Sequence, residues 1–88
     1  MVEKKFVITD KAGIHARPAA ILVNLANKFD SEVNLVHREK KVNLKSILGV
    51  MSLGIAYGSE FKVNIVGADE EDAIKEIESI MHKEGLAK

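Results

Sequence analysis

Cysteine and tryptophan are both absent from the 88 residues of this chain. Without cysteine the protein can form neither a disulfide nor a thiolate metal site, which agrees with a reducing compartment, and we expect a cytoplasmic protein. Residues 1–5 are mostly polar and lead into only a few apolar positions. Because such a segment is too short for a signal peptide or a membrane span, we expect no membrane insertion.

The chain has no excess of charge of either sign and few aromatic side chains. Thirteen basic residues balance thirteen acidic ones, and aromatic residues make up 5%. Proteins that bind nucleic acids usually show a basic footprint or a platform of stacking aromatics. Direct nucleic-acid binding is therefore a poor hypothesis.

Sites for nucleotides, cofactors and metals are also missing. No glycine-rich phosphate loop with a following Lys-Ser or Lys-Thr occurs, so a partner enzyme must supply any phosphate. The three histidines, His15, His37 and His82, are far apart in sequence and lack the spacing of metal ligands. We expect no cofactor and no metal, and we predict that His37 and His82 lie on the surface.

Hydrophobic residues at 47% and charged residues at 30% describe an ordinary globular chain. Its length predicts one domain, residues 1–88, with a single two-layer core. Apolar and polar residues alternate in four stretches, which predicts strands. These stretches are residues 2–9, Glu32–His37, Lys40–Asn43 and Glu60–Val66.

Helical spacing of apolar residues separates these strands. It predicts helices at residues 16–29 and 44–53, and a third that Asp69 caps and Gly85 ends. The third helix has an apolar stripe of Ile74, Ile77 and Met81, with Ala73 and Ile80 at its edge. The order is β-α-β-β-α-β-α, an α+β fold in which all three helices cover one face of the sheet and water covers the other.

The run GIHARPAA at residues 13–20 is the strongest functional signal. Gly13 supplies a turn, Pro18 suits the first turn of a helix, and His15 falls just before that helix begins. Unpaired N–H groups at Ala16 and Arg17 and the positive end of the helix dipole would bind an anion, and the Arg17 guanidinium suits phosphate oxygens. Imidazole is a competent phosphoryl acceptor. The alternative is that His15 only caps the helix and Arg17 is solvated.

The short segment NLKSILGVMSLG at residues 43–54 is the second signal. A helix this short buries only one face, so we expect part of the set Ile47, Leu48, Val50 and Met51 to stay exposed as a partner surface. Ser46 precedes this helix, where its hydroxyl can act as an N-cap and where a phosphate would also be tolerated. The alternative is that all four apolar residues are core and Ser46 is only a cap.

Together these two motifs, in this order, resemble the HPr family of phosphocarriers of the bacterial sugar phosphotransferase system, over residues 6–86. The resemblance implies an open-faced sandwich with a four-stranded antiparallel sheet, and a phosphoryl group carried on Nδ1 of His15. The group would come from phosphorylated enzyme I, charged by phosphoenolpyruvate, and pass to enzyme IIA domains. We expect Ala20, Ile47, Leu48 and Met51 to contact these partners, and the protein to be a monomer and a carrier, not an enzyme.

In HPr proteins of low-GC Gram-positive bacteria, the serine that matches Ser46 is phosphorylated by HPr kinase/phosphorylase. The phosphoserine form then acts as a corepressor with catabolite control protein A. A purely regulatory module acting through Ser46 and the exposed apolar residues is therefore the alternative function. His15 favours the carrier, because HPr-like regulators such as Crh lack the matching histidine.

Overall fold

The computed structural model describes residues 1–88, which form seven elements around one sheet. In chain order these are β1 (Val2–Val7), α1 (Ala16–Ala26), β2 (Glu32–His37), β3 (Lys40–Asn43), α2 (Ile47–Ser52), β4 (Glu60–Val66) and α3 (Glu70–Lys83). The four strands run antiparallel in the order β1-β4-β2-β3. This is the α+β architecture that the sequence predicts. None of the three helices combines the length and the apolar character that a membrane span requires.

The core lies between the helices and one face of the sheet. On β4 the buried residues Phe61, Val63 and Ile65 alternate with more exposed ones. Alternation of this kind places one set of side chains on each face, so the other face of the strand is open to solvent. Phe6 of β1 stacks on Phe61 with ring centroids 5.5 Å apart, which joins the two strands within the core.

Helix α1 ends at Ala26, three residues earlier than the apolar spacing predicts. The side-chain amide of Asn27 donates to the Val23 carbonyl at 2.8 Å and to the Lys45 carbonyl at 3.2 Å. The Val23 carbonyl also accepts the backbone N–H of Asn27, so the amide adds a second donor there and ties the end of α1 to the segment before α2. Phe29 lies beyond the end of the helix but is still buried in the core. Its apolar side chain therefore continues the spacing of α1 although the residue is not helical.

Asp69 stands at the N-cap of α3, but its side chain does not cap the helix. The carboxylate instead accepts hydrogen bonds from the Ser31 hydroxyl and from the backbone N–H groups of Asp30 and Ser31. These bonds lower the pKa of Asp69, with the Ser31 hydroxyl as the largest cause. Asp69 therefore fastens the α1–β2 loop to the start of α3.

Two further expectations need correction. The buried stripe of α3 is centred on Ala73, Ile77 and Met81, and Ile74 and Ile80 lie at its edges. His37 is buried and only 7% exposed, because it shares the apolar face of β2 with Val33 and Leu35. Gly85 does adopt the left-handed conformation at φ 62°, and Leu86 folds back into the core.

Candidate functional site

The loop before α1 is held in place by its backbone. Gly13 has φ 70°, and a β-carbon there would lie 2.5 Å from the Ile55 carbonyl oxygen, so only glycine fits. The next residue, Ile14, is buried and donates its N–H to that same carbonyl at 2.9 Å. The segment that follows α2 therefore supports the loop and fixes the point at which His15 enters the helix.

His15 occupies the N-cap position of α1 with extended backbone angles. Its carbonyl accepts from the Ala19 N–H at 3.0 Å, but its side chain makes no capping hydrogen bond. The imidazole is 45% exposed, and its Nε2 lies 3.8 Å from Oδ2 of Asp10. Neither N–H of Ala16 nor that of Arg17 reaches a carbonyl of the chain. An accessible imidazole thus stands beside two free backbone donors.

Arg17 extends from the first turn of α1 across to the end of α3. Its Nη1 and Nη2 both lie 3.2 Å from Oε1 of Glu84, and its side chain is 67% exposed. An exposed ion pair of this kind contributes little to folding stability, at most about 1 kcal/mol. Its effect here is to hold the guanidinium next to the helix start that His15 precedes.

Helix α2 packs against α1 and leaves most of its apolar side chains in solvent. Ile47, Leu48 and Met51 are 40%, 81% and 41% exposed, whereas Val50 is buried in the core. The alternative in which all four residues are core is therefore wrong. Ala20 on α1 is also exposed. We call the three exposed side chains Ile47, Leu48 and Met51 the α2 patch.

Ser46 is the N-cap of α2, as its position predicts, and its Oγ accepts from the Gly49 N–H at 3.1 Å. The preceding carbonyl, that of Lys45, is bonded to Asn27 at the far end of α1 from His15. Since α1 has 11 residues, its length is about 16 Å. The structure therefore places His15 and Ser46 near opposite ends of α1, with the α2 patch on the helix that packs alongside.

Two residues near His15 were not identified from the sequence. Glu84 follows Arg17 by 67 positions, so only tertiary structure brings the two together. Asp10 could have been identified from the sequence, because aspartate favours short turns of this kind. In the structure its Oδ1 accepts from the Ala12 N–H at 2.9 Å within the turn. The other two histidines lie elsewhere, on β2 and α3, and no group of three His, Cys, Asp or Glu side chains could hold a metal ion.

Comparison with known proteins identifies the family of this chain. The family model described as the phosphorylation site of the phosphotransferase-system HPr component matches residues 2–83. A histidine-containing phosphocarrier protein from Mycoplasma is 40% identical, with a TM-score of 0.94 and 97% of each chain covered. HPr-C-His from Thermoanaerobacter tengcongensis is 45% identical, with a TM-score of 0.89, 93% of this chain covered and 92% of that chain.

A related regulator matches as well. Crh of Bacillus subtilis, a catabolite repression protein solved as a swapped dimer, is 42% identical with a TM-score of 0.74, covering 96% of this chain and 97% of that chain. Three observations point to one family: the fold, the exposed histidine before α1, and the match over nearly the whole length of the chain. This chain belongs to the HPr family of phosphocarriers of the sugar phosphotransferase system.

Proposed function

We propose that this protein carries phosphoryl groups on His15, taking them from phosphorylated enzyme I and delivering them to enzyme IIA domains. The observation that carries the proposal is the exposed imidazole of His15 beside the free N–H groups of Ala16 and Arg17. Backbone donors at a helix start bind phosphate oxygens and are favoured by the helix dipole. The site therefore combines a nucleophile with a cradle for the group that it receives.

The transfer step exchanges one bond to phosphorus for another. The lone pair on Nδ1 of His15 attacks the phosphorus of the donor, a new nitrogen–phosphorus bond forms, and the bond to the donor atom breaks with its electron pair. Asp10 Oδ2 lies 3.8 Å from Nε2, so a carboxylate stands on that side of the ring, and Nδ1 is the nitrogen that we propose for attack. Delivery to enzyme IIA is the same step in reverse, with His15 as the leaving group.

Arg17 is proposed to stabilise the phosphoryl group while it moves between donor and acceptor. Its guanidinium is exposed and held by a single carboxylate oxygen of Glu84, through two donors at 3.2 Å. A phosphoryl group offers three oxygens and more negative charge, so it can compete for these donors. Arg17 then turns from Glu84 to the transferring group.

The α2 patch and Ala20 are proposed as the docking surface for both partners. Exposed apolar side chains in a contiguous patch are typical of interaction sites. The patch lies on α2, and the segment that follows α2 holds the loop before His15 through Ile55. A partner seated on α2 would therefore reach the phosphoryl site.

A second, regulatory role is proposed for Ser46, through phosphorylation by HPr kinase/phosphorylase and binding to catabolite control protein A. The Ser46 hydroxyl already accepts from the Gly49 N–H, and a phosphate oxygen can take over that bond. The likeness to the catabolite repression protein Crh supports this role. Because His15 is present, we infer that regulation is added to the carrier function and does not replace it.

The test is incubation with enzyme I and phosphoenolpyruvate, followed by intact mass measurement before and after acid treatment. We expect a gain of one phosphoryl group that acid removes, and no gain for His15→Ala. His82→Ala, which removes an exposed histidine on α3, is the matched control and should be phosphorylated normally. Phosphorylation of His15→Ala at an unaltered rate would refute the assignment.

The regulatory role needs a separate reaction with HPr kinase and ATP. We expect a product that resists acid and is lost in Ser46→Ala. Ser52→Ala serves as the control because Ser52 is an exposed serine in the same helix. A modified Ser46→Ala chain would contradict the assignment while leaving the carrier function untouched.

A further inference from the structure

A cavity of about 440 Å³ lies on the open face of the sheet, at the end where β2 turns into β3. Its lining includes three cationic side chains, Lys5, Arg38 and Lys62, together with Glu60 and Ser59. Its volume falls in the range of about 300–1,000 Å³ that small-molecule sites occupy. None of its lining residues belongs to the phosphoryl site around His15.

Lys5 and Lys62 form a repulsive pair at this cavity. They are directly opposite each other across β1 and β4, and like charges in such pairs destabilise a sheet. The nearest carboxylates give little relief, since Lys5 lies 3.9 Å from Glu60 and Lys62 lies 4.0 Å from Glu3. All four side chains are at least 40% exposed, so water and salt weaken these contacts further.

Arg38 adds a backbone cost at the same place. It is the one residue other than glycine with a positive φ, at 58°, and it begins the β2–β3 turn. A non-glycine residue in this conformation is strained, and glycine would avoid that strain. Strain of this kind is informative when the side chain does something that glycine cannot do. Here the side chain is a guanidinium that lines the cavity.

His37 lies at the edge of the cavity next to Arg38, with its side chain on the core face of β2. It lines the cavity, and its pKa is lowered by burial and by the charges of Arg38 and Lys40. A cation at His37 is thus disfavoured while the cavity holds no anion. An anion in the cavity would relieve the repulsion between Lys5 and Lys62 and would offset part of the Arg38 charge that acts on His37.

From the convergence of Lys5, Arg38 and Lys62 on this one cavity, we propose a binding site for a small organic phosphate that carries hydroxyl groups. The guanidinium of Arg38 and the two ammonium groups would hold the phosphate oxygens. The Glu60 carboxylate and the Ser59 hydroxyl would accept hydrogen bonds from the hydroxyls of the ligand. The site is separate from the His15 chemistry and does not depend on it.

The experiment is a titration of the full chain with glucose 6-phosphate at constant ionic strength, followed by backbone and imidazole NMR signals. We expect saturable shifts at the cavity residues, including His37, with a Kd on the order of 1 mM. Inorganic phosphate should bind more weakly, and glucose should cause no shift. Equal binding of inorganic phosphate, or shifts spread over all lysines, would overturn the site.

Two variants test the cations. Arg38→Gly removes the guanidinium and relieves the backbone strain, so the protein should unfold at a higher temperature yet bind at least about tenfold more weakly. Lys62→Gln should weaken binding to a similar degree. Lys75→Gln, which removes the same charge from an exposed position on α3, should bind like the parent. The proposal fails if Arg38→Gly retains its affinity or if Lys75→Gln loses as much as Lys62→Gln.

Discussion

At the scale of single residues, the ion pair between Arg17 and Glu84 matters because it positions the guanidinium, and less because of the energy it contributes. Two nitrogens of Arg17 share one oxygen of Glu84 at 3.2 Å each, in a partly exposed pair. Such contacts exchange easily with water or with a competing anion. The resting pair therefore keeps the guanidinium in place, and under the proposed mechanism it releases the guanidinium to an incoming phosphoryl group.

For Arg17→Ala we expect phosphoryl transfer to slow by about 10²–10³, because a preorganised cation is lost. Arg17→Lys should recover only part of the rate, since an ammonium group lacks the planar fork. The measurement is the rate of His15 phosphorylation by enzyme I, with thermal unfolding recorded for each variant. Transfer at the parent rate in Arg17→Ala would show that the residue is only solvated surface.

Individual residues also show which features of the structure could be predicted from the sequence and which could not. His37 could have been assigned to the core from the alternation that places Val33 and Leu35 there, because all three share one parity on β2. The partnership of Arg17 with Glu84 had no sequence signal, since no local period relates positions 67 apart. The same holds for Asp69, whose carboxylate bonds a loop 38 and 39 positions earlier.

At the scale of elements, α2 separates its exposed and buried faces sharply. Leu48 is 81% exposed and Val50 is 1% exposed on the same six-residue helix. Leu48→Glu should weaken binding to enzyme I while changing the free energy of unfolding by no more than about 0.5 kcal/mol. Val50→Glu should cost roughly 3 kcal/mol or more, because it buries a charge. Calorimetry of binding and urea unfolding distinguish the two, and a large loss of stability in Leu48→Glu would refute the docking surface.

The hydrogen bonds that the Asp69 carboxylate accepts from the α1–β2 loop should make the free energy of unfolding depend on pH. The folded-state pKa of Asp69 lies below its usual value of 3.8. Its contribution to stability is therefore fully present above that value and is lost as the pH falls through the folded-state pKa. We expect Asp69→Asn to be less stable near neutral pH and to lose less further stability in acid. Urea unfolding at several pH values tests this, with the exposed Asp72→Asn as the control.

The ends of a strand or helix could be predicted where a single sequence pattern determines them. The strict alternation over Glu60–Val66 gave β4 its observed ends. Helix α1 was predicted too long because Phe29 keeps the apolar spacing, whereas the Asn27 amide terminates the helix through a tertiary bond to Lys45. A hydrogen bond to a distant segment can end a helix before its apolar spacing ends. The spacing of apolar residues in the sequence gives no sign of such a bond.

At the scale of the whole molecule, the two proposed phosphorylation positions, His15 and Ser46, lie near opposite ends of α1, which is roughly 16 Å long. Exposed charges at that separation are largely screened, since the Debye length is about 8 Å at physiological salt. A phosphate on Ser46 should therefore act on the partner that covers the α2 patch, and only weakly on His15 itself. The expected kinetic signature is a raised KM for transfer from enzyme I with a nearly unchanged kcat.

Ser46→Asp should reproduce part of this effect, because it adds one negative charge in place of the two of a phosphate. Ser46→Ala, which removes the cap without adding charge, is the control and should reduce only stability, by about 1 kcal/mol. Circular dichroism would confirm that both variants fold. Equal KM values for the parent and Ser46→Asp at physiological salt would leave Ser46 as a helix cap.

The pairing of β1 also determines when this chain can fold as it is made. Val2 pairs with Ile65, the N–H of Val7 donates to the Lys88 carbonyl at 2.8 Å, and that of Thr9 donates to Leu86 at 2.9 Å. Strand β1 therefore has its partners in β4 and in residues 86–88, which are synthesised long after it. At about 5–20 residues per second, β1 stays unpaired for several seconds, so the native sheet cannot form before β4 has left the ribosome.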